Sequence, residues 1–183
     1  GYVRLDPEVA AAFESAVDVF ASLGALLTEA DPGFTDPVEA FHTLWFSGAA
    51  KSIEHLGPEQ RALMDPALVA VAEEGARASA LDYLTAIGRT MGEFHTRHAL
   101  LLTPTMPIPA FEAGVESPAG WGERWTSWTP FTYPFNMTQQ PAASVPCGFT
   151  RGGLPIGLQI VGPRHADRAV LSAAHAFQAV TDW

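Results

Sequence analysis

Through the first half of the chain, apolar residues recur at three- and four-residue spacing. Beyond it they form short unbroken or alternating runs, a change of period from helix to strand. The first predicted helix opens where Asp6 can cap, Pro7 fits the first helical position and Glu8 meets the positive end of the dipole. Val9, Phe13, Ala16, Val17 and Phe20 share one face, and Gly24 stops the helix where a left-handed cap favours glycine. Ala25-Leu26-Leu27 reads as a candidate strand, and Asp31-Pro32-Gly33 as a turn. Asp36-Pro37 repeats the cap-plus-proline start, ahead of a second helix with the stripe Val38, Phe41, Leu44 and Trp45. The pattern is helical again from Gly57, with Asp65-Pro66 as a start and Gly75 as a stop. Ser79 with Asp82, an aspartate form of the capping box, opens the longest predicted helix. Leu81, Leu84, Ile87, Met91, Phe94 and His98 lie on one face of it, and it runs into the strand Ala99 to Thr103, whose continuous apolar character suits cover on both sides.

The second half is built differently. Ten of the 15 prolines fall between Pro104 and Pro163, and three of the five tryptophans are Trp121, Trp125 and Trp128, which predicts a long loop with an aromatic load. Two strands, Ala143 to Phe149 and Ile156 to Val161, are joined through Arg151-Gly152-Gly153, where glycine permits positive φ. A closing helix starts near Asp167 and presents Val170, Leu171, Ala174 and Phe177. Helices alternating with buried strands argue for an α/β layered fold.

Composition narrows the function classes. The chain has 183 residues, enough for one domain at roughly 150 residues each. Charged residues make up 16% and hydrophobic residues 48%, which excludes disorder for most of the chain. A net charge of −10 repels phosphate backbones and anionic headgroups, so neither nucleic acid nor a membrane surface is expected as a partner. No apolar run approaches the ~18 residues of a membrane span, and Gly1 to Glu8 has no secretory-signal pattern. Cys147, the only cysteine, can form neither an intrachain disulfide nor a Cys-based zinc cage, which makes the cytoplasm the expected compartment.

Several groups carry chemistry on paper, each with a plainer reading. His95 and His98 have helical spacing for sharing a metal, but no third ligand is near, and structural histidines are the better reading. Cys147 is a nucleophile candidate set inside an apolar strand pattern, where a cysteine usually packs as a small hydrophobe. Lys51 beside Ser52, with Ser47 a turn earlier, offers a Ser-Lys dyad against the alternative of a solvated lysine. Gly152-Gly153-Leu154-Pro155-Ile156-Gly157 precedes a strand instead of a helix, so turn chemistry explains it better than a phosphate loop does. Trp121, Trp125, Trp128, Phe131, Tyr133 and Phe135 either cover the core or line an apolar pocket.

The run Pro134-Phe135-Asn136-Met137-Thr138-Gln139-Gln140-Pro141-Ala142-Ala143-Ser144-Val145-Pro146-Cys147-Gly148-Phe149, followed by Gly153-Leu154-Pro155-Ile156-Gly157-Leu158-Gln159-Ile160-Val161-Gly162, resembles the C-terminal portion of the amidase signature family. Leu101-Leu102-Thr103-Pro104-Thr105 is similar to that family's strand-to-loop segment. Gly1-Tyr2-Val3 through Val9, with Leu23-Gly24-Ala25, is similar to its stretch after the catalytic region. Gln139-Gln140 stands where many members have a glycine-containing pair.

The resemblance implies the C-terminal part, residues 1 to 183, of a single amidase-type α/β/α sandwich with a mixed sheet and a helix-rich first half. It implies hydrolysis of carboxylic amides by a serine nucleophile, a second serine in a cis peptide and a lysine base. Those three groups lie upstream in the family. No position here matches them, Lys51 included, so no catalytic residue, metal or cofactor is carried over and the chain is expected to be inert alone. What it supplies is scaffold and one wall of the substrate channel, expected from Met106, Trp128, Phe131, Thr132 and Tyr133. Members acting on glutamine carry a carboxylate where this chain has Trp128-Thr129, which favours an aryl, alkyl or ω-amino-acid amide. Homo-oligomerisation is left open. Two alternatives stand beside this reading: a stand-alone module binding a small ligand or a partner protein, and a Cys147-dependent hydrolase.

Overall fold

A computed structural model describes residues 3–33, 36–79, 94–122 and 124–182. The chain divides into two compact units, Gly1–Asp36 with Arg89–Trp183, and Pro37–Gly88.

The first unit is built on three strands, β1 (Leu101–Pro104), β2 (Ala142–Phe149) and β3 (Pro155–Val161), in the order β1-β3-β2 and antiparallel throughout. The β2–β3 connection is the predicted hairpin, and Gly153 takes φ +81°. Because side chains alternate across a strand, the register sorts the sheet into two faces. Leu102, Ile160 and Ala143 are paired on one face and Thr103, Gln159 and Ser144 on the other.

The first face is covered by α1 (Pro7–Ser22) and by the closing helix, Asp167–Gln178. Ala16 and Phe20 of α1 meet Val145, Leu158 and Ile160 of the sheet and Val170, Ala174 and Phe177 of the closing helix in one core. Asp6 caps α1 as its sequence predicts, its Oδ1 accepting from Glu8 N at 2.8 Å. The helix ends with Gly24 at φ +87° and with Ala25 N donating to Phe20 O, a left-handed C-terminal cap.

Several predicted details of this unit differ, β1 beginning at Leu101 instead of Ala99 among them. Ala25-Leu26-Leu27 forms no strand, and Leu26 is 100% exposed. Leu171 is 65% exposed because it sits one residue past Val170, about 100° around the helix from the inward stripe. The expected long loop contains a 3-10 turn, Trp125–Trp128, and a short helix, Tyr133–Thr138. That short helix ends on Gln139 at φ +57°, a left-handed position that disfavours a side chain by roughly 1–2 kcal/mol. Gln139 belongs to the Gln139-Gln140 pair, which stands where many members of the resembling family have a glycine-containing pair. Arg164 donates from its guanidinium to Gln139 Oε1 there.

The second unit pairs α2 (Val38–Ile53) with α4 (Pro66–Gly75) through α3 (Pro58–Arg61). Asp65 caps α4 through Ala67 N and Leu68 N, as the sequence predicts. The cap of α2 is Pro37, with no side-chain bond. Its buried residues are Phe41, Phe46, Ala49 and Ile53, so Phe46 replaces the expected Trp45. The predicted helix through Leu81, Leu84, Ile87 and Met91 lies largely outside the described residues.

Candidate functional site

The second face of the sheet carries the site. Toward Phe94 it is sealed by Phe135, Val161 and Leu101. Toward the other end it opens into a cleft of about 410 Å³, lined by residues that include Met106, Ile108, Phe111, Trp128, Ser144, Pro146 and Gly157. Every lining side chain is uncharged.

Two hydrogen-bonded positions organise this face. Gln159, 5% exposed on the central strand, donates from Nε2 to Thr103 Oγ1 at 2.9 Å and to the Phe131 carbonyl at 2.7 Å. The aromatic segment is thereby tied to the sheet through its backbone. One pair further along, Thr105 N bonds Gly157 O at 2.8 Å, and the hydroxyls of Thr105 and Ser144 meet at 2.7 Å. These side chains reach toward each other across the central strand, and neighbouring strands stand about 4.8 Å apart, so whatever projects between them must be small. A Cβ on Gly157 would lie 2.8 Å from Thr105 Oγ1 and 2.9 Å from Ser144 Oγ.

The five residues expected along the channel separate. Met106 and Trp128 are together in the cleft wall. Trp128 is fixed there by its Nε1 donating to Glu116 O at 2.9 Å and by an edge-on contact with Phe111 at 5.1 Å. Phe131 contributes its carbonyl to Gln159. Thr132 donates its hydroxyl to Thr129 O at 3.1 Å. Tyr133 is 2% exposed and donates its hydroxyl to Asp36 Oδ1 at 2.5 Å. The aromatic cluster therefore does both jobs allowed it: Tyr133 and Phe135 are core, Trp128 is wall, and Trp121 lies under the Arg4 guanidinium at 5.1 Å. Thr105, Ser144 and Gly157 also line the cleft, and sequence reasoning misses them. Gly157, a glycine inside a strand, is the available signal of a close approach.

The other chemical candidates have structural partners. Lys51 pairs with Glu54, while Ser52 Oγ donates to Gly48 O at 2.9 Å, so the two neighbours are each engaged elsewhere. His95 donates from Nδ1 to the His98 carbonyl at 3.0 Å, and the His98 ring stacks on Phe94 at 4.5 Å. Among the described residues no three His, Cys, Asp or Glu side chains form a metal-binding group, and no helix is long and apolar enough to cross a membrane.

Cys147 packs against the first-face core, and burial pushes its thiol up from 9.0 to about 11. A shift of that size lowers the thiolate population at pH 8 roughly a hundredfold. Iodoacetamide should therefore modify Cys147 about a hundredfold more slowly in the folded chain than in urea. Equal rates, read by mass spectrometry, would return Cys147 to the candidate nucleophiles.

Two helices on one face of an antiparallel sheet, with an uncharged cleft on the other, define an α/β layer protein. The chain belongs to the amidase signature family: the family profile described as Amidase matches residues 1–171. It is similar to an acylamidase of Rhodococcus erythropolis, 34% identical over 200 residues that take in 100% of this chain and 41% of that protein. It is also similar to an amidase of Pseudomonas putida, 30% identical over 191 residues that take in 98% of this chain and 41% of that protein. Among solved structures it superposes on a bacterial aryl acylamidase of the amidase signature enzymes with a TM-score of 0.83 and 27% identity, over 99% of this chain and 42% of the other. The chain thus spans about two fifths of the length of these relatives.

Proposed function

We propose that the chain is the scaffold and apolar channel wall of an amidase that hydrolyses neutral carboxylic amides. The Ser-cisSer-Lys groups would come from the part of such enzymes that precedes the segment matched here. The observation carrying this reading is the coincidence of the family match over residues 1–171 with an uncharged cleft walled by Met106 and Trp128. In this role the chain binds and orients. Its apolar wall removes water from an uncharged substituent, at about 25 cal/mol per Å² of apolar surface covered, while the tie from Gln159 to Phe131 holds the 131 to 133 segment against the sheet. The wall has no carboxylate at Trp128-Thr129, which favours an aryl, alkyl or ω-amino-acid amide over glutamine.

The test is release of p-nitroaniline from p-nitroacetanilide, measured with residues 1–183 alone and with the same residues joined to the preceding sequence of their gene. The expected result is no turnover alone and hydrolysis when joined. Turnover by 1–183 alone, or none by the joined polypeptide, overturns the reading.

A further inference from the structure

We propose that Gln159 sets the breadth of the cleft: by holding the Phe131 carbonyl to the sheet, it fixes where the Trp128 wall stands and so selects substrates by the width of the substituent they place there. This deepens the amidase reading and rests on it for the claim that a substrate enters this cleft.

The two sides of the cleft are held in different ways. Met106 follows β1, whose pairing with β3 runs to Pro104 and is extended by Thr105 N donating to Gly157 O at 2.8 Å. Trp128 belongs to the 125–132 segment, which is in no strand. That segment is tied within itself: Thr129 Oγ1 donates to Thr126 O and Thr132 Oγ1 to Thr129 O, each at 3.1 Å. The Trp128 indole N–H bonds Glu116 O, but Glu116 is exposed and lies in no helix or strand. Gln159 joins the segment to the sheet, its Nε2 donating to the Phe131 carbonyl at 2.7 Å. Gln159 does not itself line the cleft; it acts through Trp128, as a positioning residue.

Thr103 determines which way the Gln159 amide faces. Its hydroxyl donates to Pro104 O at 3.0 Å, so toward Gln159 that oxygen can only accept. The amide therefore turns its NH2 to Thr103 Oγ1, at 2.9 Å, and the second N–H is left aimed at Phe131 O. With Gln159 5% exposed, water has little access to replace a lost donor, and a carbonyl left unpaired at such a site is destabilising. Deprived of that donor, the segment moves outward to find water, takes Trp128 with it and widens the cleft.

Three variants of the joined polypeptide test this. Gln159→Met keeps the length and loses both donors, Thr103→Val keeps the shape and loses the hydroxyl, and Thr103→Ser keeps the hydroxyl. Hydrogen exchange read by mass spectrometry should be about fivefold faster over residues 125–132 in Gln159→Met, the usual worth of one hydrogen bond, and unchanged in α1 and the closing helix. Thr103→Val should show the same acceleration in lesser degree, and Thr103→Ser none. The ratio of kcat/KM for the p-nitroanilide of isobutyric acid to that for the p-nitroanilide of acetic acid should rise about fivefold in Gln159→Met and keep its parent value in Thr103→Ser. Unchanged exchange over 125–132, acceleration spread evenly over α1, the closing helix and the segment, or an unchanged ratio in an active polypeptide overturns the proposal. If Gln159→Met does not fold, the two Thr103 variants decide: faster exchange in Thr103→Val alone supports it, and equal exchange overturns it. A polypeptide that hydrolyses neither anilide sinks the amidase reading, and the exchange pattern then decides the role of Gln159 by itself.

Discussion

Replacing Phe177 by alanine should lower the stability of the sheet unit by about 4 kcal/mol, the middle of the range for removing a buried phenylalanine. Phe177 is 1% exposed, and its ring stacks on Phe20 of α1 at 5.5 Å, so the closing helix and α1 meet through it above the sheet. Truncation leaves a void where the two helices and Leu158 and Ile160 converge, and close-packed surroundings cannot collapse to fill it. Leu171→Ala on the same helix is the control. With that side chain 65% exposed, the change should stay within about 0.5 kcal/mol. Urea unfolding of the two variants separates them, and a loss below about 1 kcal/mol for Phe177→Ala would show that this core is not what holds the sheet. The cleft depends on the outcome, because β3 carries Leu158 and Ile160 on one face and Gly157 and Gln159 on the other. Loosening the first face frees the strand that positions the second.

That pair of residues also shows how far the sequence can be read. Helix starts are legible because they are local: Asp6-Pro7 and Asp65-Pro66 cap their helices through their own side chains, a bond made within three residues. Asp36-Pro37 has the same signature, but the residue at the cap of α2 is Pro37, which makes no side-chain bond, and Asp36 accepts from Tyr133, 97 positions away. The hairpin is legible from its glycines. The apolar stripe of the closing helix gives Val170, Ala174 and Phe177 correctly and Leu171 wrongly, since periodicity marks a sector and not the edge of its burial. At the cleft, Met106 and Trp128 are reachable by resemblance. The Thr105–Ser144 pair is not, because it joins strands 39 residues apart and exists only once the register across β3 is known.

Gly75→Ala is expected to destabilise the helical unit by about 3 kcal/mol, at the upper end of the usual range for overpacking. In the sequence Gly75 reads as a helix stop; in the structure it is the last residue of α4 and the point where that helix touches α2. A Cβ at this position would stand 1.9 Å from Phe46 O and 2.6 Å from Ser47 N. These are backbone atoms of a helix, which cannot rotate away as a side chain end would, so the two helices must separate. Separation in turn unpacks Ala49, Ile53 and Ala72, the small core they share with Leu68 and Val71. Gly48 supplies the internal comparison, since it lies in α2 with nothing within 4 Å of its would-be Cβ. Gly48→Ala should therefore stabilise α2 by roughly 0.5–1 kcal/mol through the entropy of the unfolded chain and helix propensity. Hydrogen exchange resolved by residue distinguishes the two: faster exchange in α2 and α4 for Gly75→Ala, slower in α2 for Gly48→Ala. If both alanines stabilise, Gly75 is only a weak helix former, and the contact between α2 and α4 is not what requires it.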